Sequence, residues 1–196
     1  MPTSSFKDDK GAALIEFCLI LPVLIVMIFA IIDFGLFIRA RLIITNITRE
    51  GGNLASRDFK SGNDLIALLQ SSASPLDLKN ELGRIYISTI DAAATSGSKP
   101  VVSDKLQAGN LAVSSGIPSK GSTSQPLGLT NAMYNHLVYK TSAKTADING
   151  VTVVETFYLY KPITPLPKFI ANILLKDANS TGTIIGSRAV FCTTGG

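Results

Sequence analysis

Histidine and cysteine are nearly absent from this chain of 196 residues, which has one histidine, His136, and two cysteines, Cys18 and Cys192. A lone imidazole in NAMYNHLVYK, with no second histidine, cysteine or carboxylate at ligand spacing, supports no metal site. His136 therefore reads as a surface or half-buried helix residue. Cys18 lies in an apolar run and Cys192 near the far end of a polar region, which excludes a disulfide framework. Cys192 reads as a small, partly buried residue. The chain also lacks G-x-S-x-G, H-E-x-x-H, a Walker loop and G-x-G-x-x-G, so it displays no catalytic residues and implies no cofactor. Charge is scarce as well, at 16% of residues, with a formal balance of +4. Low charge with high apolar content is the reverse of the disordered signature. Arg39, Arg41, Arg49 and Arg57 are not interleaved with aromatics and accompany no recognition motif, so nucleic acid is not an expected partner. Lysine and arginine beside a membrane span read as interfacial anchors instead.

The apolar residues are concentrated at one end. The run from Ala12 to Ile32 would be about 30 Å long as an α-helix, enough to cross the hydrocarbon of a bilayer. No A-x-A-like cleavage site follows, as it would after a secretory signal. The sequence continues as DFGLFIRARLIITNITREGGNLASR without proline, which predicts that the helix extends past the membrane. Leu36, Ala40, Ile43 and Ile47 recur there at three- and four-residue steps and form a packing stripe, while Arg39, Asn46 and Arg49 lie away from it. Gly51 and Gly52 each weaken a helix by about 1 kcal/mol relative to alanine, and Ser61-Gly62-Asn63 reads as a stop. The helix is expected to end between 51 and 60.

Beyond it, NDLIALLQSSAS predicts a short amphipathic helix capped by Asn63 or Asp64. Ile85, Ile87 and Thr89 alternate with Tyr86, Ser88 and Ile90 as in a strand. From Asp91 to Thr130 the chain is rich in Ser, Gly, Thr and Pro, which predicts surface loops and weak edge strands. LTNAMYNHLVYKTSA reads as a helix with Met133, Leu137 and the stem of Lys140 on one side. VTVVETFYLYK is an unbroken strand pattern, with Val151, Val153, Glu155, Phe157 and Leu159 on one face and Thr152, Val154, Thr156, Tyr158 and Tyr160 on the other. KFIANILLK predicts a further short helix, and Thr183 to Cys192 a last strand. The fold class is α+β: a single N-terminal transmembrane helix extended into an amphipathic helix, whose stripe packs on a small antiparallel sheet. The expected segments are a leader over 1–11, the transmembrane helix over 12–32, its extension over 33–60 and an extracytoplasmic α+β domain over 61–196.

Glu16 lies inside the apolar run. A charge in a membrane interior costs several kcal/mol unless paired, solvated or neutralised. It also sits near a helix start, where a negative group suits the macrodipole, so the position alone leaves interfacial and functional readings open. The order of residues adds to this. A polar tail ends in Lys10-Gly11, and a cut after Gly11 would leave a new ammonium on Ala12 with Glu16 one helical turn away. That arrangement resembles a prepilin processing site. GAALIEF, the proline in LILPVL, IIDFG, the TRE-G segment at Thr48 to Gly51 and the late VTVVETFYLY and GSRAVFC strands together resemble the TadE-like family, minor pseudopilins of the tight-adherence (Tad/Flp) type IV pilus system. GGNLASR departs from the family's usual small, arginine-bearing segment after the helix.

The resemblance implies a pilin-like structural component and not an enzyme. It implies cleavage between Gly11 and Ala12 by a prepilin peptidase, residence in a bacterial inner membrane by a single pass, and a C-terminal domain outside the cytoplasm. The implied partners are the bilayer, other pilins or pseudopilins and the inner-membrane assembly platform. The family's glutamate maps onto Glu16, whose carboxylate would meet the N-terminal ammonium of a neighbouring subunit. Such a pair selects register more than it adds net stability. Pro22 is open to two readings, a local loosening of the helix or simple tolerance by neighbours in the membrane. Asp33, at the end of the run, is expected to be solvated at headgroup level. The orientation comes from the resemblance, because Lys7 and Lys10 precede the span and Arg39 and Arg41 follow it closely, so the positive-inside count does not place the N-terminus in the cytoplasm. The competing function is an uncleaved, membrane-anchored binding module such as an adhesin or sensor.

Overall fold

The computed structural model describes residues 8–57, 62–164 and 182–193. The expected short helix over KFIANILLK and most of the expected leader lie outside the described residues. In chain order the elements are α1 (Asp8–Ser56), α2 (Gly62–Ser72), β1 (Gly83–Asp91), β2 (Val101–Ala108), α3 (Asn131–Leu137), β3 (Gly150–Tyr160) and β4 (Thr183–Cys192). The chain divides into two units, Met1–Arg39 with Lys161–Thr183, and Ala40–Tyr160 with Ile184–Gly196.

In the first unit α1 runs through Pro22 without interruption. Proline removes one backbone donor, and the remaining hydrogen bonds of so long a helix carry it across the gap. Asp33 corrects an expectation: it is buried and not solvated. Its Oδ1 accepts the backbone N–H groups of Ile163 at 3.0 Å and Thr164 at 3.2 Å, and the Thr164 hydroxyl donates to Oδ2.

The second unit is the α+β domain. Its sheet has four strands in the order β2-β1-β3-β4, and β1 pairs antiparallel with both β2 and β3. The pairing sets Ile87 opposite Val154 and Ile90 opposite Val151, so the period-2 alternation gives the sheet two apolar faces. One face, with Ile85, Ile87 and Val154, packs on Ile44 and Ile47 of α1 and on Leu65, Ile66 and Leu69 of α2. The domain end of α1 thus lies against the sheet, as the stripe requires.

The opposite face, with Ile90, Val102, Val151 and Val153, is covered by Ile117, Leu127 and Leu129 and by Tyr134 and Leu137 of α3. Here the reading of 91–130 as surface loops and weak edge strands is corrected in part: β2 is an edge strand of the sheet, but the segment after it is not all surface. Ile117 and Leu127 are each 1% exposed, because a sheet with two apolar faces needs a second cover and this segment supplies it. Its irregular backbone is tied down by Lys105, whose Nζ donates to the carbonyls of Ile117 and Pro118. A Cβ on Gly128 (φ +70°) would lie 2.1 Å from the Gly116 carbonyl oxygen, so only glycine permits the close approach there. Burial lowers the Lys105 pKa, against an opposing pull from Glu155. The third helix is also shorter than expected. Thr130 caps it, it ends at Leu137, and Lys140 instead bridges to Thr145.

Gly51 and Gly52 have a packing reason that outweighs their helix cost. A Cβ on Gly51 would lie 2.6 Å from Cδ1 of Leu69, and one on Gly52 2.5 Å from the Phe191 ring. Glycine therefore lets α1 approach α2 and β4 within the domain. Leu69 is 1% exposed and has nowhere to retreat. Overpacking of this kind costs about 1–3 kcal/mol, against a gain of about 1 kcal/mol in helix propensity. Gly51→Ala is thus expected to lower the stability of the domain by about 1 kcal/mol, read as a reduced unfolding midpoint in detergent micelles. A rise in that midpoint would show that propensity prevails.

Candidate functional site

Leucine, isoleucine, phenylalanine and valine stabilise a protein when removed from water, by about 1.5–3 kcal/mol per side chain. On the N-terminal part of α1 they are not removed. Leu14, Ile15, Phe17, Leu19 and Val23 are all exposed, and none of the helix's most apolar 18-residue window is buried within the protein. Soluble monomers rarely expose a contiguous apolar patch beyond a few hundred Å². A helix of this length with such a surface is suited to a hydrocarbon environment, and it is the one candidate membrane span among the described residues.

Glu16 is exposed on this apolar cylinder. Ala12 and Glu16 lie four residues apart on one continuous helix, which places them on the same face, about 6 Å apart along the axis. No neighbouring atom lies within 4 Å of where a Gly11 Cβ would stand. Further along the helix, Leu36 and Ile43 are half-buried while Ala40 and Ile47 are buried. Ile44 (0% exposed) and Thr48 are the more deeply buried positions on that side. Thr48 satisfies its hydroxyl by donating to the Ile44 carbonyl at 2.6 Å, a bond available to threonine inside a helix.

Two polar clusters lie in the α+β domain. Glu155 of β3 is buried at 4% exposure. It accepts from the Ser115 hydroxyl at 2.5 Å and the Gly116 N–H at 3.2 Å, with Arg188 Nε 3.9 Å away. A charged residue in register with Val151 and Val153 is the sequence signal for such an inward-facing carboxylate. Tyr86, opposite Glu155 in the ladder, donates to the Val113 carbonyl at 2.7 Å, and Arg84 and Lys105 lie over its ring. These bonds stitch the 113–118 segment to the sheet.

The second cluster gathers His136, Lys140 and Asp147 at the surface, with His136 Nδ1 2.8 Å and Lys140 Nζ 2.5 Å from the same carboxylate oxygen. The carboxylate at Asp147 could not be read from spacing because it reaches His136 across a loop. No group of three or more His, Cys, Asp or Glu suited to a metal occurs among the described residues. Hydrogen bonding from Lys140, then from His136, holds the Asp147 carboxyl below its ordinary 3.8. A lowered acid pKa adds stability that is present above the unfolded value and is lost as pH falls through the folded one. Asp147→Asn is accordingly expected to be slightly less stable than the parent at pH 7 and to match it at pH 2–3, as measured by urea titration. An unchanged difference across that range would refute the pairing. Cys192 and Cys18 are both free and exposed. Cys192 is therefore not partly buried, since it closes a strand at the sheet's edge, where covering elements have run out.

Span and domain together define a membrane-anchored α+β protein with one N-terminal helix. Residues 11–53 match the family described as TadE-like protein. Over this segment the chain is similar to TadE-like proteins. No curated protein and no solved structure matches the chain.

Proposed function

We propose that this chain is a minor pseudopilin: a structural subunit cut between Gly11 and Ala12, held in the inner membrane by residues 12–32 and joined to other pilins through Glu16. The observation that carries this reading is the unburied apolar surface of α1, in the segment that matches the TadE-like family. In this reading residues 1–11 are the leader recognised by a prepilin peptidase. Residues 33–60, with Leu36, Ala40, Ile43 and Ile47, seat the helix on the domain. Residues 61–196 form the extracytoplasmic part, available to a fibre or to the inner-membrane platform.

The electrostatic logic supports the location of the cut. A glutamate within hydrocarbon is costly alone. An ammonium created four residues before it, on its own or a neighbouring chain, provides an opposite charge in a medium where such attraction is strong. Desolvation of both ions offsets much of the gain, so the pair acts mainly to fix register. Intact-mass measurement of the protein extracted from its host membrane tests the reading: the mature chain begins at Ala12. A full-length product in the assembled state would favour an uncleaved anchor carrying a binding module.

A further inference from the structure

Asp33 stands at the end of the apolar run, and its carboxylate is used for a purpose that neither processing nor subunit docking requires. It accepts the N–H groups of two consecutive residues, Ile163 and Thr164, and the hydroxyl of Thr164. These two residues sit in the sequence Lys161-Pro162-Ile163-Thr164-Pro165. Proline has no N–H. Every backbone donor from 162 to 165 is thus either chemically absent or consumed by Asp33. A non-helical segment in water would not need this, because water would satisfy the amides. Beside hydrocarbon the requirement is strict, since an unsatisfied backbone group costs several kcal/mol there.

The side chain that the segment presents agrees with its backbone. Ile163 is 74% exposed, the highest exposure of any large apolar residue described. It is held to the helix where Ile31, Ile32 and Phe34 are themselves exposed. Lys161 and Arg39, both exposed, supply cations of the kind that anchor proteins among anionic headgroups.

Resting on the reading of α1 as a membrane span, we infer that residues 161–164 form a second membrane contact: a strap, pinned to the helix by Asp33, that inserts Ile163 into the lipid at the border of the bilayer. The occupant is a lipid surface. The strap is hydrogen-bonded to the end of the span, Lys161 in it and Arg39 on the helix suit anionic headgroups, and the donors of 162–164 have been removed from the need for water.

The chain contains no tryptophan, so a single introduced indole reports one position. Full-length Ile163→Trp, Leu19→Trp and Lys99→Trp proteins are reconstituted in phosphatidylcholine–phosphatidylglycerol vesicles, with and without acyl chains brominated at depths from the headgroup to the bilayer centre. Leu19 reports the span and Lys99 an exposed loop of the domain. The expected result is a blue-shifted emission for Ile163→Trp and a loss of intensity to bromine close to that of Leu19→Trp, with Lys99→Trp unquenched. Adding Asp33→Val to the Ile163→Trp protein should move its quenching towards the Lys99→Trp level. If Leu19→Trp is quenched and Ile163→Trp is red-shifted and unquenched, the strap is wrong and the span stands. A blue-shifted but unquenched Ile163→Trp would place that residue against protein and also overturns the inference. Quenching unaffected by Asp33→Val removes Asp33 as the pin. If Leu19→Trp escapes quenching as well, the span fails and the strap with it.

Discussion

A chain carrying Gly11→Leu is expected to accumulate at full length, while the parent protein is recovered beginning at Ala12. The effect should be close to all or none, because a peptidase that accepts a residue without a Cβ has no room for a branched side chain. The structure makes this a clean test. A Cβ at Gly11 would meet no atom within 4 Å, and exchange of glycine for leucine in a helix is favourable by up to about 1 kcal/mol. The substitution therefore leaves helix and domain intact, and loss of processing would report on recognition of the leader alone. Mass spectrometry of the membrane-extracted protein reads both species in one experiment. Normal cleavage of Gly11→Leu would remove Gly11 from the site.

Glu16→Val is expected to be retained in the membrane at least as well as the parent and to lose co-purification with other pilins. The two effects have opposite signs for one reason. Valine eliminates a group that hydrocarbon penalises by a few kcal/mol, so the isolated helix is better solvated by lipid. In the proposed docking, the same exchange would leave the ammonium of a neighbour without its counter-ion, and breaking one half of a buried pair costs about 3–5 kcal/mol. That corresponds to about a hundredfold or more in association at 1.4 kcal/mol per tenfold. Glu16→Asp should recover part of the association, because the charge is kept and only its reach is shortened. If Glu16→Val co-purifies normally, the carboxylate is not a docking point, whatever the fate of the leader.

How far the fold could be read from the residues depended on whether a signal was local. Strand β3 is legible because ten consecutive residues alternate without a breaker, and the membrane helix because its apolar run has the length of a bilayer. The stripe is legible only to within a residue or two. Three- and four-residue spacing links Ala40, Ile43 and Ile47, but it cannot rank Ile43 against Ile44, which differ by 100° around the helix axis and of which Ile44 is the one fully buried. Ile117 and Leu127 show no period because their surroundings are Ser, Gly and Pro. Their burial follows from the second apolar face of a sheet whose strands lie elsewhere in the chain. Asp33 is the extreme case: its position at the end of the run is visible, whereas its partners Ile163 and Thr164 are brought to it only by the completed fold. Glycine illustrates the same limit. Gly51 reads as a weak point in a helix until Leu69 is seen beside it.

The near contact of Gly52 with Phe191 has a bearing on biogenesis. Phe191 leaves the ribosome well after Gly52, 139 residues further along the chain. The central pair β1 and β3 is able to form before β4 has been made, and interactions between positions as remote as Gly52 and Phe191 are slow to form. The N-terminal part of the helix thus has time to settle in lipid before its own globular end is sealed, and chains truncated ahead of Thr183 would present β3 as an open, sticky border to quality-control proteases.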